Sequence, residues 1–221
     1  MSSQRGERLL AWLDEGREYM GEVQIGRSET GFWLRHYLDG GVAGLKDYEQ
    51  PEAGIELGKY DDAGAYRPLR SAPTLQRGWM LSLRTLEEVV QALDFFYPAM
   101  PGTAVAFDEG RGRPVHLRET LGRQSGMYRV AAKITNGQAD ALIGEVCPPA
   151  RCLKTITWRI DGDVPLSSLP PGKTDLSHDL LSRTGGFIPL PCEECCNILV
   201  AAARETVKKA ADRFPATSPT A

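Results

Sequence analysis

The sequence has no apolar run that approaches the length of a membrane-spanning helix. Its first residues, "MSSQRGERLLAWLDEGRE", lack the basic, apolar and small-residue succession of a secretory signal. From these two absences we expect a cytoplasmic protein without a membrane partner. No run of five or more basic residues occurs, the formal net charge is −3 and the pI is near 5.7. That argues against a nucleic-acid partner held by bulk electrostatics. There is no P-loop, no G-x-G-x-x-G and no G-x-S-x-G, so the usual phosphate cradles and the nucleophile elbow are missing. Histidine is scarce: His36, His116 and His178 are the only three, and none has a second histidine at helical or strand spacing. They read as surface or hydrogen-bonded residues. No internal repeat or low-complexity block is visible.

What is present is ordinary globular composition: 221 residues, 42% hydrophobic and 25% charged. That is enough chain for one large domain or two small ones, with a core that needs no covalent staples. Residues 5–19 have helical periodicity, with Leu9, Leu10, Trp12 and Leu13 apolar between charges. "GEVQIGRSETGFWLRHYLDGG" reads as a hairpin turning at Ser28 to Gly31. A helix is expected from Pro51 to Gly64, then a loop from Ala65 to Gly78, then a strand in "WMLSL". In "TLEEVVQALDFFYP", Thr85 and Glu88 form a capping box and Pro98 is the stop. Trp12, Trp33, Trp79, Phe95 and Phe96 read as core. The fold class is therefore α+β. "AMPGT" marks the boundary between an α+β domain over 1–98 and a mainly helical domain over 99–214, with a disordered tail over 215–221. The second domain should hold short helices at 103–110 and 114–124, and a helix capped by Thr135 and Gln138 that ends near Cys147. A strand in "TITWRI" and a long helix over 192–213 complete it.

The five cysteines fall in two short stretches, "CPPARC" (Cys147, Cys152) and "PCEECCNILVAAARE" (Cys192, Cys195, Cys196). An odd count cannot pair completely, and a reducing compartment favours free thiols or metal ligands. If a helix starts at Cys192, positions i, i+3 and i+4 share one face, so any two of its three sulfurs can point at one object. A helix N-terminus also favours thiolate. Two thiol pairs suit a [4Fe–4S] cluster or a structural zinc. The irregular spacing favours the cluster and leaves the ligand choice among the three downstream cysteines open. Buried packing is the plainer reading for any one of them. Glu193 and Glu194 suit the positive end of that helix. A further polar stretch, "RETLGRQSGMYR", carries Arg118, Arg123 and Arg129. It could bind an anionic small molecule such as a polycarboxylate, although a solvated helix face explains it more simply.

The strings "YDDAGAYRPL", "APTLQRGW", "RETLGRQSGMYRVA", "VPLSSLPP" and "PCEECCNILVAAARE" together resemble a known family over roughly Gly21 to Val207. It is the C-terminal extension of deinococcal proteins that begin with a sirohydrochlorin- or cobalt-chelatase-like domain. That family has two extra domains, the last a [4Fe–4S] cluster-binding domain. No chelatase module is legible in this sequence, so the resemblance does not bring chelatase activity with it. It implies cluster ligation by Cys147 and Cys152 and by Cys192 and Cys196, the last followed by Asn197. Cys195 stands where the family has a small residue and is a possible substitute ligand. The implied role is an accessory or electron-transfer protein of sirohaem or cobalamin metabolism, working with a separate chelatase or redox partner. The alternatives are a non-enzymatic interaction module built on structural zinc, or an enzyme or binder using the Arg118 to Arg129 stretch.

Overall fold

The computed structural model describes residues 4–111, 116–122, 126–147, 152–157 and 186–213. The expected tail, Arg123, His178 and the loop-rich stretch around "SSLPPG" lie outside these residues. The chain is α+β and divides into two compact units. The first is Met1–Arg113 with Arg151–Thr155 and Lys173–Pro191; the second is Pro114–Ala150 with Ile156–Gly172 and Cys192–Ala221.

The first unit begins with α1 (Gln4–Asp14). This helix stops short of the expected Tyr19 because Gly16, at φ +80°, closes it in the left-handed conformation. Then come β1 (Tyr19–Met20), β2 (Val23–Ser28), β3 (Gly31–His36), β4 (Lys46–Tyr48), α2 (Ala53–Leu57), β5 (Trp79–Leu83), α3 (Leu86–Phe96) and α4 (Met100–Asp108). With β7 (Phe187–Ile188) the strands form a six-stranded sheet in the order β4-β5-β3-β2-β1-β7. The hairpin turns where the sequence indicated, with Ser28 opposite Gly31. Gly26 faces Trp33 across it, and a Cβ at Gly26 would lie 1.9 Å from the indole, so the ring can lie flat only over a glycine.

Alternation along β5 buries Trp79, Leu81 and Leu83, and α3 covers that face with Val89, Val90, Ala92, Leu93 and Phe96. Trp79 and Phe96 stack at 4.9 Å. Both halves of the expected capping box are made, since Glu88 N–H donates to Thr85 Oγ1 and Thr85 N–H to Glu88. Met100, Ala104 and Val105 place α4 in the same core. Asp108 joins α4 to α1 by accepting from Arg8, Arg17 and the Trp12 indole. Trp33 and Phe95 are only half-buried, unlike Trp12, Trp79 and Phe96.

The helix expected from Pro51 to Gly64 is only the single turn of α2. Asp61 takes its backbone elsewhere, its carboxylate accepting from the amides of Ala63 and Ala65. From there to β5 the chain is organised by a buried charge. Arg67 donates to Gly58 O, Arg70 O, Ala72 O and Thr74 Oγ1 and pairs with Glu22 at 3.5 Å. Glu22 also accepts from Leu75 N–H and faces His36 Nε2 at 3.3 Å. Leu38 N–H donates to His36 Nδ1, so Nε2 carries the proton and donates to Glu22. Burial pulls the Arg67 pKa down and pushes the adjacent Tyr97 hydroxyl up.

The second unit contains α5 (Leu117–Gly122), a 3-10 stretch (Gly126–Lys133), α6 (Asn136–Val146) and α7 (Asn197–Arg213). Its core joins Leu117, Leu121, Ala131, Ile134, Ala139, Leu142, Ile143, Leu199, Val200 and Ala203. The short strands β6 (Thr155–Ile156) and β8 (Pro191–Cys192) pair as a separate two-stranded sheet. Among the described residues no helix is long and apolar enough to cross a membrane.

Removing one partner of a fully buried ion pair strands the other charge. Arg67→Ala should therefore cost about 3–5 kcal/mol of stability. Urea unfolding followed by tryptophan fluorescence measures this, because Trp12 and Trp79 sit in the core of the same unit.

Candidate metal centre

No disulfide involves any of the five cysteines. Cys147, Cys192, Cys195 and Cys196 belong to the second unit, and Cys152 to the Arg151–Thr155 segment of the first. Each is held by a different local device.

Cys147 sits at the C-terminal end of α6, its N–H bonded to Ile143 O. The capping box at the other end is the one read from the sequence: Gln138 N–H donates to Thr135 Oγ1 and Thr135 N–H to Gln138 Oε1. Ala139, Leu142 and Ile143 anchor the helix in the core. Cys147, Cys195 and Cys196 lie half-buried against that core, and Cys192 is part of it.

The long helix expected from residue 192 starts five residues later, at Asn197. Cys192 is on β8 instead, where its carbonyl accepts from Thr157 Oγ1 at 3.1 Å rather than continuing a helical ladder. Its Sγ donates to Glu194 O at 3.7 Å. Cys196 is the N-cap of α7. Its carbonyl accepts the first helical bond, from Val200 N–H, and its Sγ accepts from Leu199 N–H at 3.5 Å. The shared helical face inferred for the three cysteines is therefore replaced by a strand at Cys192, an irregular stretch through Cys195 and a cap at Cys196.

Cys195 lies between them. Burial, then the neighbouring Cys196, Cys147 and Glu194, push its thiol up to about 12. Sulfurs crowded in this way repel one another as thiolates, and a bound cationic centre reverses that balance.

Cys152 has its own partner. Its Sγ is 3.1 Å from Ser71 Oγ, and Leu153 N–H donates to Ser71 O at 2.8 Å. Nothing in the sequence signals this, since Ser71 and Cys152 are 81 residues apart. The Thr157 contact is equally invisible, since Thr157 and Cys192 are 35 residues apart. Of the basic residues singled out, Arg118 and Arg129 are exposed, and Arg123 lies outside the described residues. Arg118 lines an open hollow of about 420 Å³ with His116, Glu119, Ala132 and Asn136.

Thiolates are soft donors suited to iron–sulfur clusters and zinc. Among the described residues, no three His, Cys, Asp or Glu side chains converge as a single ion would require. A [4Fe–4S] cluster takes one thiolate on each of four irons, and cysteine is the donor type such a cluster requires.

Two family models cover the chain in succession. The DR2241 stabilising domain matches residues 5–107, and a 4Fe-4S iron-sulfur cluster binding domain matches 109–205. Each model matches just under half of the chain, and the second supports reading it as an iron–sulfur protein; all five cysteines fall within that second match. A solved structure from Deinococcus radiodurans, DR2241, is 30% identical with a TM-score of 0.68. It is described as a multi-domain protein with structural similarity to chelatases and two additional novel domains. The alignment covers 94% of this chain and 42% of that one, so this chain spans less than half of its relative's length. No match is found among curated proteins.

If the cap on α6 positions Cys147, Thr135→Ala should cost about 1 kcal/mol. It should also speed loss of iron to a chelator. An unchanged urea midpoint and an unchanged release rate would show that this helix end is held by other contacts.

Proposed function

We propose that the protein binds one [4Fe–4S] cluster through Cys147, Cys152, Cys192 and Cys196. In this reading it serves as an accessory or electron-transfer component of tetrapyrrole metabolism, sirohaem or cobalamin, beside a separate chelatase or redox partner. The observation that carries the reading is the match of a 4Fe-4S binding domain over 109–205, which encloses every cysteine of the chain. The tetrapyrrole context rests on the chelatase likeness described for the Deinococcus relative.

The local geometry supports Cys196 over Cys195 as a ligand. A backbone N–H of the first turn of α7 already points at Cys196 Sγ, and a helix N-terminus stabilises thiolate. When bound, the cluster supplies either one-electron transfer or a structural cross-link, the choice being set by hydrogen bonds to sulfur and by exposure.

Anaerobic purification followed by iron, sulfide and zinc analysis tests the assignment. The expected result is four irons and four sulfides per chain, with a broad visible absorption that dithionite bleaches. One zinc per chain without sulfide would sink it. Cys196→Ala should abolish the cluster and Cys195→Ala should retain it; the reverse would make Cys195 the ligand.

A further inference from the structure

Ser71 is buried, 2% exposed, in the irregular segment between α2 and β5. It carries no motif and belongs to the domain that the family model describes only as stabilising. Yet it makes two contacts with the segment that bears Cys152. Its carbonyl accepts from Leu153 N–H at 2.8 Å, and its hydroxyl lies 3.1 Å from Cys152 Sγ. All of these residues belong to the first unit.

Between two neutral groups, either atom of that pair could donate. Once Cys152 is a thiolate ligand its sulfur has no proton, so the hydroxyl must donate. The donor is also held in place. Arg67 Nη2 donates to the carbonyls of Arg70 and Ala72, the residues on either side of Ser71, at 2.9 and 2.8 Å. The backbone at Ser71 is thus clamped by a buried guanidinium that is itself paired with Glu22. The hydroxyl meets the sulfur without a mobile side chain having to be ordered first.

We propose that Ser71 is a positioning residue that donates a hydrogen bond to the Cys152 thiolate and raises the reduction potential of the cluster. This rests on the assignment of Cys152 as a ligand. A donor near a thiolate stabilises the reduced, more negative state more than the oxidised one.

The test is a dithionite redox titration of the anaerobically purified whole chain and its variants, with iron and sulfide measured on each sample. Ser71→Ala should keep its full iron and sulfide but be about tenfold less reduced at a given ambient potential. For a one-electron couple that is a downward shift of about 59 mV. Ser71→Thr, which restores the hydroxyl, should return the potential towards wild type. Ser82→Ala, which removes a hydroxyl bonded to Asp47 instead, should leave the potential unchanged. Resonance Raman of the oxidised protein gives a second readout in a single redox state. The iron–cysteine stretching bands should rise in frequency in Ser71→Ala and lose part of their sensitivity to D₂O.

A full cluster with unchanged potential and bands in Ser71→Ala overturns this inference alone. Equal shifts in the Ala and Thr variants would assign the effect to packing and also overturn it. A wild-type protein without iron and sulfide removes the cluster assignment and this inference with it.

Discussion

Burying the Arg67 guanidinium obliges the surrounding chain to supply acceptors. The group has five N–H donors, no acceptor, and a charge that is expensive to remove from water. Its neighbours meet that demand with three backbone carbonyls, the Thr74 hydroxyl and the Glu22 carboxylate. Glu22 in turn is satisfied by Leu75 N–H and His36, while its own N–H donates to the Tyr97 hydroxyl. One buried cation therefore fixes a segment with almost no regular structure and ties it to β3 and to the end of α3. Such a network specifies one conformation because every alternative leaves a buried polar group unpaired.

The consequence reaches the chemistry through Ser71. A loop held only by its own backbone could present a hydroxyl in many orientations. Here the carbonyls on both sides of Ser71 are fixed, so its side chain has a defined place from which to meet the Cys152 segment. In this sense the stabilising domain is specific in what it stabilises. Its hydrophobic core supports the sheet, and its buried ion pair supports a cysteine.

Legibility in the sequence followed the range of the interactions. The capping boxes at Thr85 and Thr135, the hairpin turn and the alternation of "WMLSL" all depend on residues within four positions of one another. Each appears in the structure where the sequence places it. The α2 region failed because Asp61 and Arg67 spend the local backbone groups on turns and on a guanidinium. Neither competitor is visible as a periodicity. The start of α7 failed for a similar reason. A hydroxyl at Thr157, 35 residues from Cys192, claims the carbonyl that an earlier helix start would have needed. The two cysteine stretches were legible as a site, but the environment of each sulfur was not, because those environments come from Ser71, Thr157 and the first turn of α7.

That shift in the helix start changes what the "CEECC" sequence does. On a helix beginning at Cys192 the three sulfurs would have been near-equivalents on one face, and spacing alone could not rank them. With a strand at Cys192 and a cap at Cys196, Cys192 differs from the other two in burial, and Cys196 differs from Cys195 in its place at the start of α7. Cys196 occupies the place where a capping oxygen usually accepts from the third helical N–H, and its sulfur does that work. A thiolate there gains from the same N–H and from the positive end of α7. Cys195 has neither benefit and meets like-charged neighbours on several sides.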